Sequence, residues 1–106
     1  MSFNQVKMNG NYTIRTIHTV KIEGYEIVVF PNSTSDQVMV KINEIPKKGI
    51  TVTIFDINGK NLLKVVGTNE QLEFALEMKN IPAGNYLLKV ADNKGNHLQT
   101  FQVIKN

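Results

Sequence analysis

Two stretches of the chain, Asp56-Ile57-Asn58-Gly59 and Asp92-Asn93-Lys94-Gly95, set a carboxylate shortly ahead of a glycine and are its most conspicuous polar features. In each, the Asp can accept a backbone N–H inside a turn while the Gly takes a left-handed conformation without steric cost. Asp and Asn oxygens are also hard ligands, so calcium is the sharper chemical reading. A calcium site, however, needs about six or more converging oxygens, and each stretch offers few. Structural turns are the expectation, with no metal ion. His18 and His97 stand far apart, and neither has a His or carboxylate at ligand spacing, so no general base or metal centre is nominated. Ser2, Ser33 and Ser35 are the only serines, and none lies in a Gly-x-Ser-x-Gly elbow. Cysteine is absent, which excludes disulfides, thiolate nucleophiles and zinc held by sulfur. The residues point away from an enzyme: no catalytic group and no cofactor site are predicted.

Binding chemistry is equally sparse. Twelve basic against nine acidic side chains leave a net charge of +3, but the lysines are scattered and only Lys47-Lys48 are adjacent. A nucleic-acid surface clusters its cations so that several phosphates are met together, so no nucleic-acid partner is expected. Asn11-Tyr12-Thr13 and Asn32-Ser33-Thr34 match a glycosylation sequon that is short enough to arise by chance. Phe55 has the opposite parity to Ile50, Val52 and Ile54, which turns its ring outward or under a neighbouring loop. A single outward ring is a weak platform for a sugar.

The elements that must position these residues read as strands. A chain of 106 residues, 42% apolar and 20% charged, suits one domain with a normal core. No apolar run approaches the roughly 20 residues of a membrane-spanning helix, and the first ten residues hold no signal-peptide h-region. Asn9-Gly10 favours a tight turn between "FNQVKM" and "NYTIRTIHTVKI". In the second arm Tyr12 and Ile14 alternate with Thr13, Arg15 and Thr19, the pattern of a half-exposed ribbon. "IVVF" stops at Pro31-Asn32, where proline cannot donate to a ladder and asparagine favours a turn. "DQVMVKI" puts Val38, Val40 and Ile42 on one face, and "ITVTIF" does the same with Ile50, Val52 and Ile54. "LEFALEMK" sets Leu72, Phe74, Leu76 and Met78 against Glu73, Ala75, Glu77 and Lys79. "NYLLKV" aligns Tyr86, Leu88 and Val90, and Asp92 to Gly95 turns the chain into "HLQTFQVI".

From Tyr25 onward this makes about seven short strands, the number of an immunoglobulin-like antiparallel β-sandwich. "IPAGNY" adds the pattern of a tyrosine corner, with Tyr86 as the residue whose hydroxyl bonds upstream backbone. The expected division is residues 1–24 as an N-terminal β-ribbon or linker and 25–106 as the sandwich domain.

In this order the segments "IVVFPN", "ITVTIFDINGKNLL", "IPAGNYLLKV" and the closing "HLQTFQVIKN" resemble the C-terminal sorting domain of the type IX secretion system of Bacteroidetes. The resemblance covers about residues 26–106. It departs in two places: Ser33 stands for a usual second proline, and the sequence shows no signal peptide or whole cargo ahead of the matching segment. The resemblance implies a non-catalytic secretion signal that directs a fused N-terminal cargo across the outer membrane, with the outer-membrane machinery and a sortase-like peptidase as partners. The cargo would pass through the periplasm and end secreted or at the cell surface, released or anchored to lipopolysaccharide. Carried over residue by residue, the late strand is Gly84, Tyr86, Leu88, Lys89 and Val90, and the recognition residues are Gly84, Tyr86, Lys89, Gly95, Val103, Ile104 and Lys105, mainly the terminal three. Pro31, Asn32, Asp56, Gly59, Lys60 and Asp92 would build structural turns, and cleavage would fall at Glu23, Gly24, Tyr25 and Glu26. Residues 1–24 resemble the end of a cargo region that would itself follow a signal peptide, with Met1 either an added start or native, the latter counting against export. The terminal strand is expected to be displayed as a docking handle, readable by main-chain pairing along its edge. The competing expectation is an immunoglobulin-like adhesion or carbohydrate-binding accessory module, and a third is a self-associating stalk.

Overall fold

The computed structural model describes residues 6–8, 12–19, 26–32, 36–43, 49–67, 72–92 and 96–106, the backbone alone for 6–8 and 16–19. The strands are β1 (Val6–Met8), β2 (Tyr12–Thr19), β3 (Ile27–Pro31), β4 (Gln37–Ile42), β5 (Ile50–Asp56), β6 (Asn61–Gly67), β7 (Glu73–Glu77), β8 (Gly84–Asp92) and β9 (His97–Lys105). Every pairing among them is antiparallel. One sheet has the order β1-β2-β9-β8-β5-β6 and the other β3-β4-β7.

Seven of these strands follow residue 25, as the turn spacing predicts. Sheet membership follows the immunoglobulin-like plan, with β5, β8 and β9 in one layer and β3, β4 and β7 in the other. The alternation in each strand explains the layering. Val38, Val40 and Ile42 from β4, Ile50, Val52 and Ile54 from β5, and Leu88 and Val90 from β8 are all buried. Phe74 and Leu76 from β7, with Met78 just beyond it, close the core. Burying one apolar face on each layer is what drives the two sheets together.

Leu72 shares the parity of Phe74 but is exposed, because it precedes the first residue of β7; its carbonyl instead accepts the Ile42 N–H at 2.9 Å. Pro31 is the last residue of β3, an edge strand of the smaller sheet, where its missing N–H leaves no ladder bond unmade. Asn32 then donates its N–H to the Gln37 carbonyl at 2.9 Å as the chain turns toward β4. At the other end of β6, Gly67 lies where a Cβ would come within 2.1 Å of the Phe74 ring, so only glycine lets that ring fill the gap between the sheets.

The ribbon lies inside this architecture. β2 pairs with β9 from Tyr12 opposite Lys105 to Thr19 opposite Gln99, with a bulge between Thr16 and His18. Tyr12 and Ile14 are buried members of the core, and Arg15 is exposed, so the alternation seen in the sequence is inward and outward in the structure. β9 therefore has a neighbour on each side. The expectation that its edge stands free for pairing is corrected: two inward apolar side chains on β2 gain burial by closing that edge.

Candidate functional site: the terminal strand and its latch

β9 carries Phe101, Val103 and Lys105 at one parity and Gln102 and Ile104 at the other. Phe101 and Val103 are buried in the core. Lys105 follows at the same parity and is largely buried. Lys105 Nζ donates to the Met78 carbonyl at 2.6 Å and the Ile81 carbonyl at 2.8 Å, and lies 3.4 Å from Asp36 Oδ2. Only 15% of the Lys105 side chain remains exposed. Asp36 stands just ahead of β4, Met78 just after β7, and Ile81 in the turn that leads on to β8. The latch thus ties the final residues of the chain across the two layers.

Asp36 is the hub of this cluster. Its backbone carbonyl accepts the Met78 N–H at 3.0 Å, and its Oδ1 accepts the Tyr12 hydroxyl from the ribbon strand. One carboxylate therefore joins β2, β9 and the smaller sheet. The hydrogen bond from Tyr12, with a smaller contribution from Lys105, outweighs partial burial and holds the Asp36 carboxyl below its usual range. Burial, followed by that same hydrogen bond to a carboxylate, pushes the Tyr12 hydroxyl well above its usual value.

The corner between β7 and β8 supplies the second support. The Tyr86 hydroxyl donates to the Pro82 carbonyl, the tyrosine-corner bond that "IPAGNY" predicts. Ile81 donates its N–H to the Met78 carbonyl at 3.0 Å, so this corner offers Lys105 two preset carbonyls. Gly84 pairs with Lys105 across the β8–β9 ladder.

The carboxylates of Asp56 and Asp92 both accept backbone N–H groups. Asp56 Oδ1 accepts the N–H groups of Asn58 and Lys60, each at 2.9 Å, and Gly59 takes a φ of 84° that favours glycine. Asp92 Oδ1 accepts the Asn96 N–H at 2.8 Å. Gly95 lies outside the described residues, as do Glu23, Gly24 and Tyr25 of the expected cleavage segment. Glu26, the last of that segment, is exposed and donates its N–H to Asn43 Oδ1 at 2.7 Å. His97 Nε2 is hydrogen-bonded with Thr100 Oγ1 at 2.6 Å. Among the described residues no three His, Asp or Glu groups come together as a metal site would require, and no helix is long and apolar enough to cross a membrane.

The residues nominated for recognition separate into two sets. Tyr86 and Val103 are buried, as are Leu88 and Val90 of the same late strand, and Lys105 is latched, so their side chains serve the fold. Lys89 is exposed, with its ammonium 5.2 Å from the centroid of the Phe55 ring, a cation–π contact that covers the outward aromatic. Ile104 is half-buried on that same face. Sequence reasoning missed Asp36, Tyr12 and the Met78 and Ile81 carbonyls as partners of the tail. One signal was available: Lys105 has the parity of Phe101 and Val103, which predicts an inward stem.

The fold and this site define an immunoglobulin-like β-sandwich whose final strand is clamped at its C-terminal end. The Secretion system C-terminal sorting domain model matches residues 28–105, from the second residue of β3 to the last of β9. The chain belongs to that family, the sorting domains of type IX secretion. Among solved structures it is similar to a DUF3244-family protein with an immunoglobulin-like β-sandwich fold from Bacteroides vulgatus ATCC 8482, with a TM-score of 0.64 and 18% identity over 83% of this chain and 95% of that one. It is also similar to chicken MD-1 complexed with lipid IVa, with a TM-score of 0.46 and 15% identity over 93% of each chain. No curated protein matches. Family membership supports the role of a type IX sorting signal, and with it a cargo destined for secretion or the cell surface.

Proposed function

We propose that the chain is a non-catalytic address label that directs a fused N-terminal cargo from the periplasm through the type IX machinery of the outer membrane. The family match over residues 28–105 carries this reading. Residues 1–24 belong to the cargo side, and the connector at Glu23 to Glu26 is where a sortase-like peptidase separates label from cargo. The freed cargo is then released or anchored to lipopolysaccharide. The fold suits the task. The latch and the tyrosine corner fix β9 in one conformation, so a receptor does not bear the entropy of ordering it. Of the nominated residues, Lys89 and Ile104 meet the machinery, while Gly84, Tyr86, Val103 and Lys105 hold the strand in place.

The test is export of a reporter that carries a signal peptide at its N-terminus and this chain at its C-terminus. Deleting "FQVIKN" is expected to stop the reporter in the periplasm. Because the deletion also removes Phe101 and Val103 from the core, Ile104→Glu and Lys89→Glu, which leave the core intact, form the second arm. Unchanged surface delivery of all three variants would refute the proposal. Glycan affinity that survives moving the domain away from the C-terminus would favour the adhesion or carbohydrate-binding module instead.

A further inference from the structure

The family match ends on Lys105 at the close of β9 but begins at residue 28, after β2. Within the matched segment β9 would be an edge strand nine residues long, paired only with β8. A long regular edge is a template for another strand, and proteins cover such edges or blunt them. Here the cover comes from outside the matched segment. β2 lies along β9 with Tyr12 opposite Lys105 and Ile14 opposite Val103, and both side chains enter the core. The Tyr12 hydroxyl also completes the Asp36 cluster.

We propose that the β9 edge is a strand-acceptor site, filled by β2 in this chain and able to take an extended antiparallel strand from another protein when β2 leaves. The occupant it fits has an aromatic hydroxyl side chain opposite Lys105, an aliphatic side chain opposite Val103, and polar side chains opposite Ile104 and Gln102, as Thr13 and Arg15 are in β2. Main-chain bonds to β9 give the pairing, and the two inward side chains select the register, since a slip of one residue would turn them to solvent. Asp36 adds a hydrogen-bond requirement that phenylalanine does not meet. β1 and β2 thereby mask the terminal strand, and a competing strand reaches it only by displacing them.

The inference concerns pairing alone and is measured on purified protein, independently of export. A protease site is placed between residues 20 and 25 of the full chain, the folded protein is cut, and excess fluorescent peptide of residues 1–22 is added. Native mass spectrometry reads retention of the original ribbon, and fluorescence anisotropy reads uptake of the labelled one. The expected result is retention after cutting, slow exchange for the labelled peptide, and at least tenfold weaker uptake of peptides carrying Tyr12→Ala or Ile14→Asn. If the cut protein unfolds, restoration by the unaltered peptide and not by the variants supports the site equally. Loss of the ribbon without uptake of added peptide overturns the proposal, as does equal uptake of unaltered and variant peptides, or failure of the peptide to restore an unfolded cut protein.

Discussion

Lys105→Met removes the latch while keeping a long apolar stem of similar length. The ammonium gives up donors at 2.6 and 2.8 Å to two carbonyls and a contact of 3.4 Å to Asp36. Hydrogen bonds from a charged donor are each worth about 1.5–3 kcal/mol in net terms, but they are not additive. The Met78 carbonyl keeps its bond from the Ile81 N–H, and Asp36 keeps that from Tyr12, so the main new deficit is the Ile81 carbonyl. A loss of about 2 kcal/mol follows. In a domain of this length that lowers Tm by roughly 9 °C. Urea unfolding followed by far-UV circular dichroism reads it as a lower midpoint at unchanged slope. Lys64→Met, at an exposed position of β6, serves as the control. Lys105→Arg recovers only part of the loss, because a planar guanidinium does not reproduce a compact three-donor ammonium between two carbonyls. A Lys105→Met protein within about 0.5 kcal/mol of the parent, no further from it than ordinary surface substitutions, would refute the latch.

Gly67→Ala forces a methyl to within 2.1 Å of the buried Phe74 ring and is expected to cost about 1–3 kcal/mol through overpacking, read by the same urea titration. Tyr86→Phe removes the bond to the Pro82 carbonyl and is expected to cost about 1 kcal/mol with no change in far-UV spectrum. The Asp36 carboxyl is depressed in the folded state; its contribution is present above the unfolded value of about 4 and is lost as pH falls through the lower folded value. The Tyr12 hydroxyl is raised, so its contribution is complete below about pH 10 and is lost as pH rises beyond that. Melting curves across pH should therefore decline at both extremes, with Asp36→Asn flattening the acid limb and Tyr12→Phe the alkaline one.

Local pattern carries most of this fold. Strict alternation in "DQVMVKI", "ITVTIF" and "NYLLKV" fixes which side chains are buried, because a strand has period two whatever its neighbours are. The Asp turns are equally local, since their partners lie two to four residues away. What the sequence does not reveal is which strands meet. Pairing of β2 with β9 joins the two ends of the described chain, and nothing in "YTIR" names "VIK" as its neighbour. Asp36 and Lys105 are 69 residues apart, and Asp36 sits in an ordinary polar stretch of sequence, "STSDQ". The Lys105 contacts with Met78 and Ile81 go to main-chain carbonyls, which no side-chain motif encodes. The tail was readable as a strand and not as a clamp.

The most direct measurement is the location of a signal-peptide-bearing reporter fused ahead of this chain, compared in a bacterium with intact type IX machinery and in the same strain lacking it. With the machinery present, the reporter should be recovered at the surface or in the medium, and without it the reporter should accumulate in the periplasm. Equal distribution in the two strains would contradict the sorting role.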